Sequence, residues 1–190
     1  ILTARQVSDL LPTIVSRCQC IRFHPLPRAT VERLLTARKG LAPDEAAGLA
    51  AMADGSFGRA LALQAHGWPA RREWLLEELA ALPQRSGARR LMLAEKLCAL
   101  KDQLPQALEI AMSWYRDLAV YPMHPAGVRH TDLLPRIRQA ARPEAAGANA
   151  LRVRLIQQTL TDLQRNANPR LALEVLVMRL AAPRPSPGTL

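Results

Sequence analysis

Arginine is the residue type in this sequence best placed to do chemistry. Ser16-Arg17-Cys18 follows the apolar run Leu10-Leu11-Pro12-Thr13-Ile14 and precedes an alternating run, Cys18-Gln19-Cys20-Ile21-Arg22-Phe23. An arginine at such a junction projects from a fixed edge. Its planar guanidinium can meet phosphate oxygens in pairs. Held against another molecule's nucleotide, it would neutralise the charge that builds up in phosphoryl transfer. A second candidate is Arg59, in Asp54-Gly55-Ser56-Phe57-Gly58-Arg59-Ala60-Leu61. Ser56 can cap a helix there, which puts Arg59 in the first turn, where anions are favoured. Taken singly, each motif also reads as plain structure: a surface arginine before a strand, and an ordinary capped helix.

Other side chains offer less. Cys18, Cys20 and Cys98 are an odd set without the spacing of a disulfide framework or a zinc site. Cys18 is expected to pack as a small buried hydrophobe. His24, His66, His124 and His130 have no metal spacing and are assigned surface or loop roles. The chain contains no Gly-x-x-x-x-Gly-Lys-Ser/Thr loop and no acidic metal-binding strand, so it is not expected to hydrolyse ATP by itself. No metal or cofactor is expected to bind it.

The elements that must carry these residues are mostly helices. Hydrophobic residues make up 49% of the 190 and aromatics only 4%, so the core is built from Leu and Ala, strong helix formers. Two short strands are expected first, ending at Ala4 and spanning Cys18–Phe23, with a turn or short helix from Ser8 to Ser16 broken at Pro12. His24-Pro25-Leu26-Pro27 reads as a linker. Three short helices follow within residues 24–66. The first is capped by Thr30, carries Val31, Leu34 and Leu35 and stops at Gly40. The second opens at Pro43 with Asp44 and Glu45. The third is the Ser56-capped helix.

Beyond Gly67 the helices lengthen, and residues 67–182 read as a bundle of about five helices. Tyr115 and Leu118 lie on the inner face of the helix opened by Pro105, and Pro122–His130 form a loop. The last helix, from Pro169, is apolar on almost every side, so it is either buried or part of an oligomer interface. Residues 183–190 read as a disordered tail. The fold class is therefore mainly α, with a short β remnant.

Charge sets a rival reading. Lys plus Arg number 26 against 16 for Asp plus Glu, a net charge of +10. A basic helical module that binds nucleic acid would show this balance, but the arginines are spread along every segment, with no basic helix and no run of stacking aromatics. No apolar run reaches the ~20 residues of a membrane span, and no signal peptide is visible, so the default compartment is the cytoplasm. The chain opens on an apolar run, Ile1-Leu2-Thr3, and reads as part of a longer protein.

In their order the motifs resemble one family. Leu10-Leu-Pro-Thr-Ile-Val-Ser-Arg-Cys-Gln19 is similar to the end of the AAA+ core in bacterial DNA polymerase III clamp-loader subunits. Gly55–Leu61 matches the Gly-Ser-x-x-Arg-Ala-Leu element of that family's three-helix lid. Trp114-Tyr115-Arg116-Asp117-Leu118 looks like its helical collar, and Asn168-Pro-Arg-Leu-Ala-Leu-Glu174 resembles its closing helix.

The resemblance, nearest to the delta-prime type, divides the chain into the end of the core (1–23), a lid (24–66), a collar for oligomerisation (67–182) and a tail (183–190). It implies that Arg17 is an arginine finger acting in trans and that Arg59 holds the second-sensor position, with Thr3–Arg5 near the first sensor. ATP with Mg would be bound by neighbouring subunits. The implied partners are the gamma/tau and delta subunits, with sliding clamp and primed DNA reached through the complex. An ATPase gamma/tau-type subunit is the nearest alternative.

Overall fold

The computed structural model describes residues 1–4, 7 and 10–182. Ten α-helices span the described residues, and no strand is found among them. The first, α1 (Pro12–Val15), is a single turn that starts at proline, whose fixed φ suits a first helical position. Pro12 therefore opens the helix rather than breaking it.

Neither expected strand forms. Cys18–Phe23 runs without regular structure and is exposed, Ile21 at 71% and Phe23 at 92%. Residues 1–4 are likewise irregular and exposed. Alternating, β-prone residues need a neighbouring strand to take their backbone hydrogen bonds. No such neighbour exists among the described residues, so the pattern stays unpaired. Ser8 and Asp9, in the expected turn, and the expected disordered tail at 183–190 lie outside the described residues.

The helical part follows the sequence closely. The helix α2 (Arg28–Lys39) starts directly after Pro27, two residues before the expected cap. Thr30 sits inside its first turn, where its N–H donates to the Pro27 carbonyl at 2.9 Å. Gly40, at φ 66°, ends α2 in the left-handed conformation and donates back to the Thr36 carbonyl. Pro43 opens α3 (Pro43–Met52), with Asp44 and Glu45 at its positive end. A left-handed pair, Asp54 and Gly55, turns the chain into α4 (Phe57–Ala65), and the Ser56 hydroxyl accepts from the Arg59 N–H as expected.

Gly55 also pins the linker. Its carbonyl accepts from the Leu26 N–H at 2.9 Å, and a Cβ there would lie 2.6 Å from both the Leu26 oxygen and the Pro25 side chain. Only glycine fits that close approach at φ 77°.

Six helices complete the chain: α5 (Trp68–Ala81), α6 (Gly87–Cys98), α7 (Leu104–Val120), α8 (Leu134–Ala140), α9 (Ala146–Gln164) and α10 (Pro169–Ala181). That is one more than the periodicity suggested. The helix read from Thr131 or Asp132 to Ala141 is present as the seven-residue α8, preceded by a 3₁₀ turn at Thr131–Leu133. The long α7 is buried on most sides and packs on α9 and α5, while α10 packs on α6 and α9. One apolar cluster runs without a break from Val31 and Leu35 of α2 to Leu180 and Ala181 of α10. Burying a Leu of this cluster contributes roughly 1.5–3 kcal/mol. Among the described residues no helix is long and apolar enough to cross a membrane.

Candidate functional site

Arg17 occupies the turn that follows α1. Its N–H donates to the Ile14 carbonyl at 3.1 Å, and the neighbouring Ser16 hydroxyl donates to the Thr13 carbonyl at 3.2 Å. These short-range bonds hold the backbone. The guanidinium is exposed and has no ion-pair partner among the described residues. Cys18 and Cys20 beside it are exposed as well, against the expected burial of Cys18. The reason is the missing strand partner, which would have covered one face of the segment. Cys98 is the cysteine that packs against the core.

Arg59 has a different setting. From the first turn of α4 it reaches across to α7, where its Nη2 donates to Glu109 Oε2 at 2.6 Å, and its Nη1 lies 3.4 Å from Asp54 Oδ2. Its Nε is buried without a partner, and so is Nε2 of Gln106 one turn away on α7. These groups line a cavity of about 300 Å³ that also takes in Ser113, Arg116 and Arg129. Arg17 is not among the residues that line this cavity, and Arg59's partners there are Glu109 and Asp54. Arg5, near the expected first sensor, lies outside the described residues.

The Trp114–Leu118 segment holds a centre the motif reading did not single out. Asp117 is fully buried and accepts four hydrogen bonds: from Arg116 Nη1 (2.9 Å), the Arg129 N–H (3.1 Å), the His130 N–H (3.0 Å) and His130 Nδ1 (2.9 Å). Burial by itself pushes the carboxyl upward. The bonds from the His130 ring and from the two backbone N–H groups, with the His130 charge, outweigh it and hold the group below the usual carboxylate range.

Three histidines, His24, His66 and His124, are exposed as expected, whereas His130 is buried on Asp117. The signal available was an acidic residue within one turn of Trp114 and Leu118 on a helix otherwise apolar inside. Ser113 Oγ lies 3.3 Å from the same Nδ1 that meets Asp117. A nucleophile–base–orienter relay needs both ring nitrogens, one for each partner, so this trio is structural.

Neighbouring groups complete the brace. Arg72, 6% exposed, donates to Asp132 Oδ2 at 2.6 Å, and Arg28 donates to the Thr131 hydroxyl at 2.6 Å. Together with Asp117 they fix residues 122–133 onto α7, α5 and α2. Tyr115 is buried, which pushes its phenol up to about 12 although the nearby Arg152 charge pulls the other way. Arg152 stands over the Tyr115 ring at 5.3 Å and donates to the Leu180 carbonyl at 2.9 Å, tying α9 to the end of α10.

The closing helix starts as expected, with Asn168 Oδ1 accepting from the Leu171 N–H at 3.2 Å. It is apolar on almost every side, but this chain covers only part of it. Leu173, Leu176, Val177 and Leu180 are buried, while Leu171, Val175 and Met178 are 60%, 56% and 43% exposed. Among the described residues no three His, Cys, Asp or Glu side chains are grouped to hold a metal ion.

No protein-family model, curated protein or solved structure was found to match the chain.

Proposed function

We propose that this chain is the closing part of a delta-prime-type clamp-loader subunit. It would support ATP-dependent loading of a sliding clamp onto primed DNA. In this reading α2–α4 are the lid, α5–α10 the collar, and Arg17 an arginine finger offered to the ATP site of an adjacent gamma/tau-type subunit. ATP with Mg is held by that neighbour, and this chain hydrolyses nothing.

The observation that carries the proposal is Arg17 itself. It is fixed by backbone bonds in the Ser-Arg-Cys turn, exposed, and without an ion-pair partner among the described residues. A finger acting in trans requires this combination. Support comes from α4, whose Ser56 cap places Arg59 in the first turn, as the second-sensor element requires. The rival basic module is weakened because Arg28, Arg59, Arg72, Arg85, Arg116 and Arg136 are all ion-paired to carboxylates of the same chain.

The test is co-purification with the ATPase subunits of the same organism, read by size-exclusion chromatography with light scattering. A defined hetero-oligomer is expected. Within that complex Arg17→Ala should leave assembly unchanged and lower DNA-stimulated ATPase about tenfold or more. Unchanged ATPase removes Arg17 from the mechanism. A lone chain that shifts on duplex DNA with steep salt dependence overturns the proposal.

A further inference from the structure

The antiparallel pair α9 and α10 leaves a groove of about 480 Å³ between its two helices. Leu155, Leu171, Val175 and Leu176 form its apolar part. Leu171 and Val175 of that lining and Met178 beside it follow one another at i, i+4 and i+7, so they make a single stripe roughly 10 Å long on α10. The opposite face of the helix is already spent on α6 and α9. The stripe is therefore surplus to the fold of this chain.

The groove's lining holds Arg165 and Arg179 against the single carboxylate of Asp162, and Arg154 lies beside it, so the charge here has one prevailing sign. On α9, Arg154, Gln158 and Asp162 share one strip at helical spacing, and Arg165, which caps the end of the helix, continues it. Asp162 Oδ1 accepts from Gln158 Nε2 at 2.8 Å, so the one carboxylate of the strip is engaged within it. Arg154 and Arg165 are exposed, and no ion pair holds either guanidinium among the described residues. A second copy of this chain would bring the same cations to the same rim, and each copy carries a net charge of +10. Like charges set against each other at an interface oppose association. Hence the occupant is a different chain with acidic character.

We propose that the α9–α10 groove seats an amphipathic helix of another protein, its apolar ridge on Leu171, Val175 and Met178 and its acidic flank opposite Arg154 and Arg165. The proposal rests on the reading of α5–α10 as an assembly module, and it adds the chemistry of the partner.

Two fluorescein-labelled peptides of roughly 18 residues test it, each with a Leu ridge at i, i+3, i+4 and i+7. One is flanked by Glu and the other by Lys. Each is titrated with the full 190-residue chain and followed by anisotropy. The Glu-flanked peptide should bind about tenfold tighter or more. Val175→Glu should abolish that binding. Joint reversal of Arg154 and Arg165 to Glu should transfer the preference to the Lys-flanked peptide. The same reversal at the exposed Arg33 and Arg38 of α2 should change nothing, which separates groove binding from general attraction to a basic protein.

All four arginines and Val175 are exposed, and circular dichroism melting checks that each variant folds. Absence of binding, equal binding of the two peptides, indifference to Val175→Glu, or equal sensitivity to the α2 reversal overturns the inference. So does light scattering that finds the chain alone as a dimer dissolved by Val175→Glu. The two readings fail separately. A clamp-loader complex that forms unchanged with Val175→Glu removes the groove alone. A Glu-flanked peptide seated as described, with no complex formed, removes the clamp-loader assignment alone.

Discussion

Cys18–Phe23 and Pro122–Leu133 are both stretches without α-helix, yet they differ in almost every physical respect. The first has a β-prone alternating pattern, and its side chains are exposed to the last residue. The second has a loop composition, with proline, glycine and two short 3₁₀ turns, yet Val128 and His130 are buried and its backbone donates twice to Asp117. Arg72 and Arg28 grip its far end through Asp132 and Thr131. Local propensity therefore predicted the wrong order of the two. What fixes a segment is the set of partners that satisfies its polar groups and covers its apolar ones. The loop finds those partners on α7, α5 and α2, and the alternating segment finds none among the described residues.

The largest test of that contrast is Asp117→Ala. It strips the acceptor from two backbone N–H groups, a guanidinium and an imidazole at a fully buried position. Removing one partner of a buried charged cluster costs about 3–5 kcal/mol, which should be read as a lower urea midpoint at unchanged slope. Hydrogen exchange should then rise at Arg129 and His130 before it rises in α9. A loss below about 1 kcal/mol would mean that residues 122–133 are held by apolar packing instead.

A smaller effect follows from pH. The folded Asp117 carboxyl sits below its ordinary value, so its contribution to stability is fully present above the unfolded pKa of about 3.9. That contribution is lost as pH falls through the folded value. Wild type should therefore lose stability below about pH 4 more steeply than Asp117→Asn, which has no charge there to lose. Paired urea titrations from neutral pH into this acid range give the difference curve. A flat difference would separate the buried carboxylate from the acid response.

The helices were legible because their signals are local. Gly40, Pro43, Ser56, Ser86 and Asn168 each stop, open or cap a helix using residues within one turn. Leu75, Leu76 and Leu79 mark a buried face by spacing alone. Thr30 failed as a cap because Pro27, three residues earlier, also opens a helix and came first. The Asp117 centre was half legible: an acidic residue beside Trp114 on an inner face announces a buried partner, but no pattern says that the partner is His130, thirteen residues away across a loop. Arg59 was placed correctly in its turn, and its clasp by Glu109, fifty residues on, was beyond any periodicity. The exposed stripe on α10 was hidden by its own composition, since a helix apolar all round gives no clue to which side the fold leaves open.

The smallest expected effect belongs to the other half of the contrast. Phe23 is 92% exposed, so Phe23→Ala removes almost no area that folding buries in this chain. Its stability should shift by less than about 0.5 kcal/mol, as for ordinary surface positions. The same substitution at buried Leu76 should cost about 2–5 kcal/mol. Equal urea midpoints for wild type and Phe23→Ala would show that the Phe23 ring contributes nothing to this fold. A loss near the Leu76→Ala value would mean that the aromatic ring is buried in solution. That result would restore a strand-like partner for Cys18–Phe23 and, with it, a more rigid platform for Arg17.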